Sequence, residues 1–255
     1  MIANPIGLGT LIKREIYRTA AVVNQVIWPP IITTVLYLIV FGLGLGSRIP
    51  QIQGVSYAAY LVPGLIMLQI IDGTYGEVSS SVFQGRFMNS IQELLVAPLS
   101  ATEIVCGFAV ASVLRAWLIA GLILSVGFFM AHVYPTNWPL YLLVTALVAT
   151  LFCGLGIVAG LLAEKFDHIA VLTTFVITPL VFVGGVFTST RFMPPGLREV
   201  SLANPMFYMI GAFRYAFNGT GDVSLATSLV TLVALTVIAI GVALRMVWAG
   251  VKLRP

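Results

Sequence analysis

Residues 116–163 read AWLIAGLILSVGFFMAHVYPTNWPLYLLVTALVATLFCGLGIVAGLLA and contain no Asp, Glu, Lys or Arg. A helix needs about 20 mostly apolar residues to cross the hydrocarbon core of a bilayer, so this run is too long for one crossing. Two prolines and an asparagine in HVYPTNWP, His132–Pro139, mark a turn inside it. The run therefore predicts parts of two membrane-spanning helices on either side of that turn.

The rest of the chain repeats this pattern. Only 9% of the 255 residues are charged, against about 25% in soluble domains. The apolar runs are continuous rather than alternating, which argues against a lipid-facing barrel. We therefore predict an all-α integral membrane protein with one transmembrane domain, 21–246. Its six spans are predicted at 21–46, 57–80, 102–132, 140–162, 169–188 and 223–243.

The two ends of the chain are more polar than the spans. In segment 1–20 the apolar residues Leu8, Leu11, Ile12 and Ile16 recur at helical spacing. The basic residues Lys13, Arg14 and Arg18 lie off that stripe. This pattern predicts an amphipathic helix in the membrane interface. Residues 247–255 form a basic tail.

The distribution of Lys and Arg predicts the orientation. With the N-terminus inside and six alternating spans, the inner side holds Lys13, Arg14, Arg18, Arg86, Lys165, Arg245, Lys252 and Arg254. The outer side holds Arg48, Arg191, Arg198 and Arg214. Because Lys and Arg concentrate in cytoplasmic loops, both termini are predicted to be cytoplasmic.

A polar connector, RFMNSIQELLVAPLSATEIV (Arg86–Val105), separates the second and third spans. Ile91, Leu94 and Leu95 share one side of a short helix, and Pro98 ends it. From the pattern alone, this helix is either a plain interfacial connector or a docking element for a cytoplasmic partner.

Three stretches resemble the ABC-2 type transporter permeases over nearly the whole chain. They are PGLIMLQII in the second span, QELLVAPLSATEIVCG at the connector, and FVITPLVFVGGVFTSTRFMPPGLREVSLANPMFYMIGAFRYAFNG near the end. The closest resemblance is to bacterial inner-membrane permeases encoded beside a separate ATPase, of the multidrug and polysaccharide-export type.

The resemblance implies a homodimer bound to two ATPase subunits, which would hold ATP and Mg²⁺. This chain itself has no phosphate-binding GxxxxGK[ST] loop, and we expect it to need no cofactor. The resemblance also makes the connector a coupling helix and residues 184–219 extracellular re-entrant helices. The residues expected to couple to the ATPase are Arg86, Asn89, Ile91, Glu93, Leu94 and Leu95.

Asp72 and Arg115 are the charged residues farthest from the ends of the predicted spans. Asp72 and Arg115 either pair with each other or are solvated separately. Glu77 lies one turn from the inner boundary, and plain solvation is the expectation for it. The residues predicted to line a translocation path are Phe41, Leu65, Asp72, Arg115, Phe175 and Phe182.

The outer region is irregular, and two short helices are predicted at 196–202 and 206–217. Its aromatic residues Phe207, Tyr208, Phe213, Tyr215 and Phe217 predict a belt at the water boundary. The residues considered for an extracellular gate are Pro194, Pro195, Asn204, Pro205, Phe213 and Arg214. Anchoring alone is the alternative for this region, and Arg214 is a candidate for steering an anionic group.

These observations favour one function over two others. The predicted protein is the membrane subunit of an ATP-driven exporter in the bacterial inner membrane, moving a hydrophobic or amphipathic substrate outward. An intramembrane enzyme would need matched acids, an activated nucleophile or a metal set, and we identify no catalytic or metal-binding residues. A passive channel or scaffold subunit without ATP coupling is the alternative. The net charge of +4 requires no nucleic-acid partner.

Overall fold

A computed structural model describes residues 4–46, 51–52, 54–88 and 99–252. Within these ranges the chain is helical, with an isolated bridge between Ile52 and Val55 as the only extended pairing. Six helices in the described ranges are long and apolar enough to cross a membrane. The predicted all-α fold with six spans is therefore confirmed.

The helices follow each other along the chain as α1 to α9. Their bounds are α1 Pro5–Ala21, α2 Val23–Tyr37, α3 Tyr57–Phe87, α4 Ala101–Ala131, α5 Trp138–Leu162, α6 Phe166–Val186, α7 Pro195–Ala203, α8 Pro205–Asn218 and α9 Leu225–Ala249. A π-helix, Leu38–Leu45, continues α2. The short α7 and α8 lie where 196–202 and 206–217 are predicted to be helical. At 1.5 Å per residue α8 is roughly 21 Å long, so it is shorter than the hydrocarbon core.

Short polar side chains define where four of the long helices begin. Ser56, Ser100, Asn137 and Ser224 each accept a hydrogen bond from a backbone N–H of the first turn. Such a cap satisfies one of the donors that a helix start leaves without an intrahelical partner. The turn predicted at 132–139 accordingly ends when Asn137 starts α5.

Helix α3 is the centre of the bundle, and α4 and α5 pack against it. Small residues allow α5 to approach its neighbours closely. A methyl group on Gly156 would lie 3.0 Å from Val78 Cβ on α3, and one on Gly154 would lie 2.9 Å from the Ala239 carbonyl carbon on α9. Helix α5 is therefore held on both sides through backbone contact.

Helix α6 is interrupted twice by π-helical turns, Thr173–Ile177 and Phe182–Val186. Pro179 supplies no N–H, which removes one intrahelical hydrogen bond just after the first interruption. The Thr173 carbonyl accepts both the Thr178 backbone N–H and, at 3.0 Å, the Thr178 hydroxyl. The second interruption contains Gly185 at φ +94°, a backbone conformation that favours glycine.

Candidate functional site

The end of α3 is anchored at Arg86, where the connector begins. Arg86 Nη1 donates to the carbonyls of Gly160 at 3.0 Å and Ala163 at 2.9 Å, at the end of α5. Its Nε donates to the Lys252 carbonyl at 3.0 Å. One guanidinium thus joins three separate parts of the chain, and we call this group of contacts the Arg86 anchor.

The Lys252 side chain reinforces the Arg86 anchor. Its Nζ donates to the Leu162 carbonyl at 3.2 Å and to Glu164 Oε1 at 3.0 Å. This hydrogen bond and the positive charge of Lys252 lower the pKa of the Glu164 carboxyl. The Glu164 carboxylate is exposed, so this ion pair adds little stability by itself.

The other end of the connector is anchored at the start of α4. Ser100 and Glu103 form a reciprocal capping box, in which the Ser100 N–H donates to Glu103 Oε2 at 2.7 Å. The Asn4 N–H donates to the other carboxylate oxygen. Glu103 therefore ties the first turn of α4 to the first turn of α1.

Five of the six residues predicted to couple to an ATPase fall between these two anchors. Asn89, Ile91, Glu93, Leu94 and Leu95 lie outside the described residues, and their coupling role stays a prediction. Arg86 is described, and its guanidinium is occupied by backbone carbonyls of the same chain.

Four charged residues meet where α1, α3 and α4 pack together. Arg18 Nη2 lies 2.8 Å and Arg115 Nη1 lies 3.4 Å from Glu77 Oε1. Arg18 Nε also donates to Glu15 Oε2 at 3.2 Å, and the same oxygen accepts from the Ser81 hydroxyl at 3.0 Å. We call Glu15, Arg18, Glu77 and Arg115 the charged cluster.

The charged cluster decides between the alternatives for Arg115. The ion pair that the described residues show for Arg115 is with Glu77, not with Asp72. Glu77 is therefore part of an ion-pair network rather than simply solvated. Asp72 Oδ1 is buried and has no hydrogen-bond partner among the described residues.

Glu15 is a functional candidate that the sequence analysis missed. Its side chain is only 4% exposed, although it lies on the amphipathic helix α1. The available signal was its spacing, since Glu15 follows Leu8 and Leu11 by seven and four residues and so lies on their face. A carboxylate on an apolar stripe indicates a partner on the helix that the stripe contacts.

Removing the charge of Glu77 is expected to destabilise the protein. Glu77→Gln leaves Arg115, which is 8% exposed, without its ion-pair partner. We expect a loss of about 2 kcal/mol, as for a hydrogen bond to a charged group. Thermal unfolding of the purified protein in detergent measures the loss. The matched variant Glu199→Gln changes an exposed acid on α7, and equal midpoints for the two would contradict the cluster's role.

The residues predicted to line a path occupy different environments. Leu65 is completely buried inside the bundle, whereas Phe175 is 73% exposed. Phe41 and Phe182 approach each other through Phe187, with ring-centroid distances of 5.1 and 4.9 Å to it. The structure therefore brings Phe41 and Phe182 into one aromatic group and leaves Leu65 and Phe175 apart from it. Their role in translocation stays a prediction.

Side chains from other helices bind the carbonyl groups that the broken helix α6 leaves free. Arg214 Nη2 donates to Gly185 O and, at 3.4 Å, to Val186 O. Asn204 donates to Leu180 O and Ser201 to Val183 O. Irregular backbone at membrane depth requires such internal partners. Among these partners, the Arg214 side chain is 1% exposed. Its guanidinium carbon lies 3.8 Å from the centre of the Tyr60 ring.

The gate candidates have structural contacts in this conformation. Asn204 caps α8 and Pro205 is its first residue, while Pro194 and Pro195 lie exposed at the start of α7. Phe213 is fully buried, and its ring centroid lies 5.2 Å from that of Tyr141. The gate and steering roles stay predictions.

The structure differs from the predicted aromatic belt. Phe207, Phe213 and Phe217 are at most 2% exposed, because α8 packs between α3, α5 and α9 rather than against water. In the described ranges, no group of three or more His, Cys, Asp or Glu side chains is placed to hold a metal ion.

The family described as ABC-2 type transporter matches residues 7–218. The chain belongs to the ABC-2 type transporter family. It is a multi-pass inner-membrane transport permease, and membership implies an ABC transporter system with an ATPase partner.

Two relatives show how far the similarity of this permease extends. It is 39% identical over 232 residues to the inner membrane transport permease YadH of Escherichia coli K12, which covers 91% of both chains. It is 30% identical over 185 residues to nodulation protein J of Rhizobium leguminosarum bv. viciae, covering 71% of this chain and 70% of the relative.

Proposed function

We propose that this permease exports a hydrophobic or amphipathic substrate, driven by ATP hydrolysis in a separate subunit. Two copies of the chain would form the membrane unit and two ATPase subunits would bind it from the cytoplasm. Both termini and the Arg86 anchor would then lie on the cytoplasmic side. The ATP and Mg²⁺ would be held entirely by the partner subunits.

The observation that carries this proposal is the anchoring of both ends of the connector. Arg86 joins one end to α5 and to the C-terminal tail. Glu103 joins the other end to α1. A passive connector has no need for such attachments, whereas a segment that receives force must be linked rigidly to the helices that it moves.

Contacts beyond the two anchors would transmit a movement of the connector to the membrane-spanning helices. The charged cluster links α1 to α3 and α4 through Glu77. Higher in α3, Gln69 Nε2 donates to the Thr33 hydroxyl of α2 at 2.8 Å. Movement of α3 would therefore shift α2 and, through the broken helix α6, the aromatic group of Phe41, Phe182 and Phe187.

The substrate class follows from the character of the exposed span surfaces. Helix α2, with its π-helical continuation, and helix α6 present mostly apolar side chains. Only 17% and 33% of the residues in their apolar 18-residue stretches are buried. Two copies that face each other through these helices would enclose an apolar path with few polar groups.

The test compares Arg86→Ala and Glu93→Ala in complexes reconstituted with the ATPase partner in lipid vesicles. Arg86→Ala is expected to leave assembly intact and to lower permease-stimulated ATP hydrolysis about fivefold or more, the usual size of a coupling effect. Glu93→Ala is expected to weaken binding of the ATPase or its stimulation. Export of the lipophilic dye rhodamine 6G is measured in parallel.

The matched control is Arg245→Ala, which removes an exposed arginine near the end of α9. We expect it to retain both activities. If all three variants assemble and hydrolyse ATP like the unaltered complex, the connector has no coupling role. ATP-independent dye movement would favour a passive channel instead.

A further inference from the structure

Helix α3 has one polar face that the rest of the bundle leaves open. Gln69, Asp72, Gly73 and Gly76 keep exposed surface, although most of the surrounding residues of α3 are buried. Their spacing of three and four residues places them on one side of the helix. A methyl group added to Gly76 would meet nothing within 4 Å, so there is free space beside this face.

Asp72 is the acid on this face. Glu15 and Glu77 each form an ion pair with Arg18, whereas the described residues show no ion pair for Asp72. Its Oδ1 is enclosed without a hydrogen bond. Its Oδ2 makes no hydrogen bond in the described residues either, but it is not enclosed, so this oxygen is open to a ligand. An unpaired charge within a span is unfavourable, and such residues mark substrate or ion pathways.

Gln69 provides a second oxygen one turn before Asp72. Its Nε2 donates to the Thr33 hydroxyl of α2 at 2.8 Å. Its Oε1 accepts no hydrogen bond within the described residues and is not enclosed. Two acceptor oxygens, one of them charged, match a cation that carries N–H donors.

The position of Asp72 excludes two sources of that cation. It lies about eight residues from the inner end of its predicted span, roughly 12 Å at 1.5 Å per residue, so a lipid headgroup at the membrane surface does not reach it. The basic residues within the six described spans are Arg86, Arg115 and Arg245. Arg86 and Arg245 lie near helix ends, and Arg115 pairs with Glu77. A second copy of the chain therefore brings no free cation to this depth.

We propose that Asp72 and Gln69 bind a lipophilic monovalent cation with N–H groups, such as an ammonium or amidinium attached to an apolar body. Asp72 Oδ2 accepts one N–H and Gln69 Oε1 accepts another. The apolar body lies against α2, where Leu36, one turn from Thr33, is 54% exposed. This inference rests on the proposed export function and narrows its substrate class from hydrophobic or amphipathic to cationic.

The test uses two cationic dyes, rhodamine 6G, which has N–H groups, and tetramethylrhodamine ethyl ester, which has none. Fluorescence anisotropy measures the dissociation constant of each for the permease purified in detergent without the ATPase. We expect rhodamine 6G to bind about threefold to tenfold more tightly, the range for one hydrogen bond. Asp72→Asn is expected to weaken rhodamine 6G about tenfold or more, as for a hydrogen bond to a charged group.

Three further variants separate charge, hydrogen bonding and folding. Asp72→Glu keeps the charge and is expected to bind rhodamine 6G within about threefold of the unaltered permease, less than the loss of one hydrogen bond to a charged group. Gln69→Met is expected to reduce the preference for rhodamine 6G. The matched control Asp167→Asn makes the same change at an exposed acid near the start of α6, and we expect it to change neither affinity. The thermal unfolding midpoint of each variant shows that it is folded.

Equal binding of rhodamine 6G to the unaltered permease and to folded Asp72→Asn would overturn the proposal. A preference between the dyes that Gln69→Met leaves unchanged would exclude Gln69 from the site. The neutral dye Nile red separates this inference from export. ATP-driven export of Nile red by a permease whose rhodamine 6G binding ignores Asp72 would leave export standing and the cation site refuted. Asp72-dependent binding without ATP-driven movement of either dye would refute export and leave the cation site standing.

Discussion

Replacing Gly160 by leucine is expected to prevent stable folding of this permease, the largest effect that we predict. A methyl group at this position would lie 2.7 Å from the Ser79 carbonyl oxygen and 2.8 Å from Val82 Cβ. The obstacle includes backbone of α3, which cannot turn away as a side chain does. The carbonyl of Gly160 also accepts from Arg86, so separating the two helices would break the Arg86 anchor.

The milder variant Gly160→Ala allows the effect to be measured. Overpacking costs about 1–3 kcal/mol, whereas replacing a helical glycine by alanine contributes about 0.5–1 kcal/mol of stability. We expect a net loss of about 1–2 kcal/mol, measured as a lower midpoint of thermal unfolding in detergent.

Gly241→Ala is the matched control on α9, where a methyl group would meet nothing within 4 Å. It is expected to leave the midpoint unchanged or to raise it. A lower midpoint for Gly241→Ala than for Gly160→Ala would contradict the close packing of α3 and α5.

Replacing Arg214 by alanine is expected to cost about 3–5 kcal/mol, as for removing one partner of a buried ion pair. The change leaves the Gly185 and Val186 carbonyls without this donor. It also removes the charge 3.9 Å from Asp222 Oδ2 and the cation over the Tyr60 ring. Thermal unfolding in detergent should show a large fall of the midpoint.

Two further variants, Arg214→Lys and Arg198→Ala, distinguish the contribution of the buried guanidinium hydrogen bonds to stability from that of a positive charge alone. Arg214→Lys keeps the charge but lacks the planar guanidinium that reaches two carbonyls. We therefore expect its unfolding midpoint to lie between those of Arg214→Ala and the unaltered permease. Arg198→Ala removes an exposed arginine from α7 and is expected to change the midpoint little. Full recovery by lysine would show that charge alone stabilises the region.

The spans were predictable because crossing a bilayer depends on local properties. The charge-free run 116–163 exceeds the length of one helix, and Asn137 can cap a helix whatever its neighbours are. The short helices α7 and α8 were predictable for the same reason, since Pro195 and Pro205 each begin one of them.

The candidate sites were less predictable because they depend on contacts between distant segments. Arg115 pairs with Glu77 because α3 packs against α4, and α1 brings Arg18 to the same carboxylate. The burial of Arg214 depends on the break of α6 at Gly185, which frees carbonyls for it. Hydrophobicity along the chain carries no information on which helix turns will be broken or which side chains will complete them.

The π-helical turn Thr173–Ile177 divides helix α6 into two parts whose side chains do not continue the same helical repeat. A π-turn accommodates one residue more than an α-turn, so the segment Thr173–Ile177 acts as a single-residue insertion. Residues beyond it are rotated by about 100° relative to an uninterrupted helix. Deleting one residue there would therefore restore a continuous α-helix and leave Phe182 facing its present neighbours, whereas tightening the π-turn into an α-turn at full length would turn Phe182 and every later side chain by about 100° toward a different neighbour.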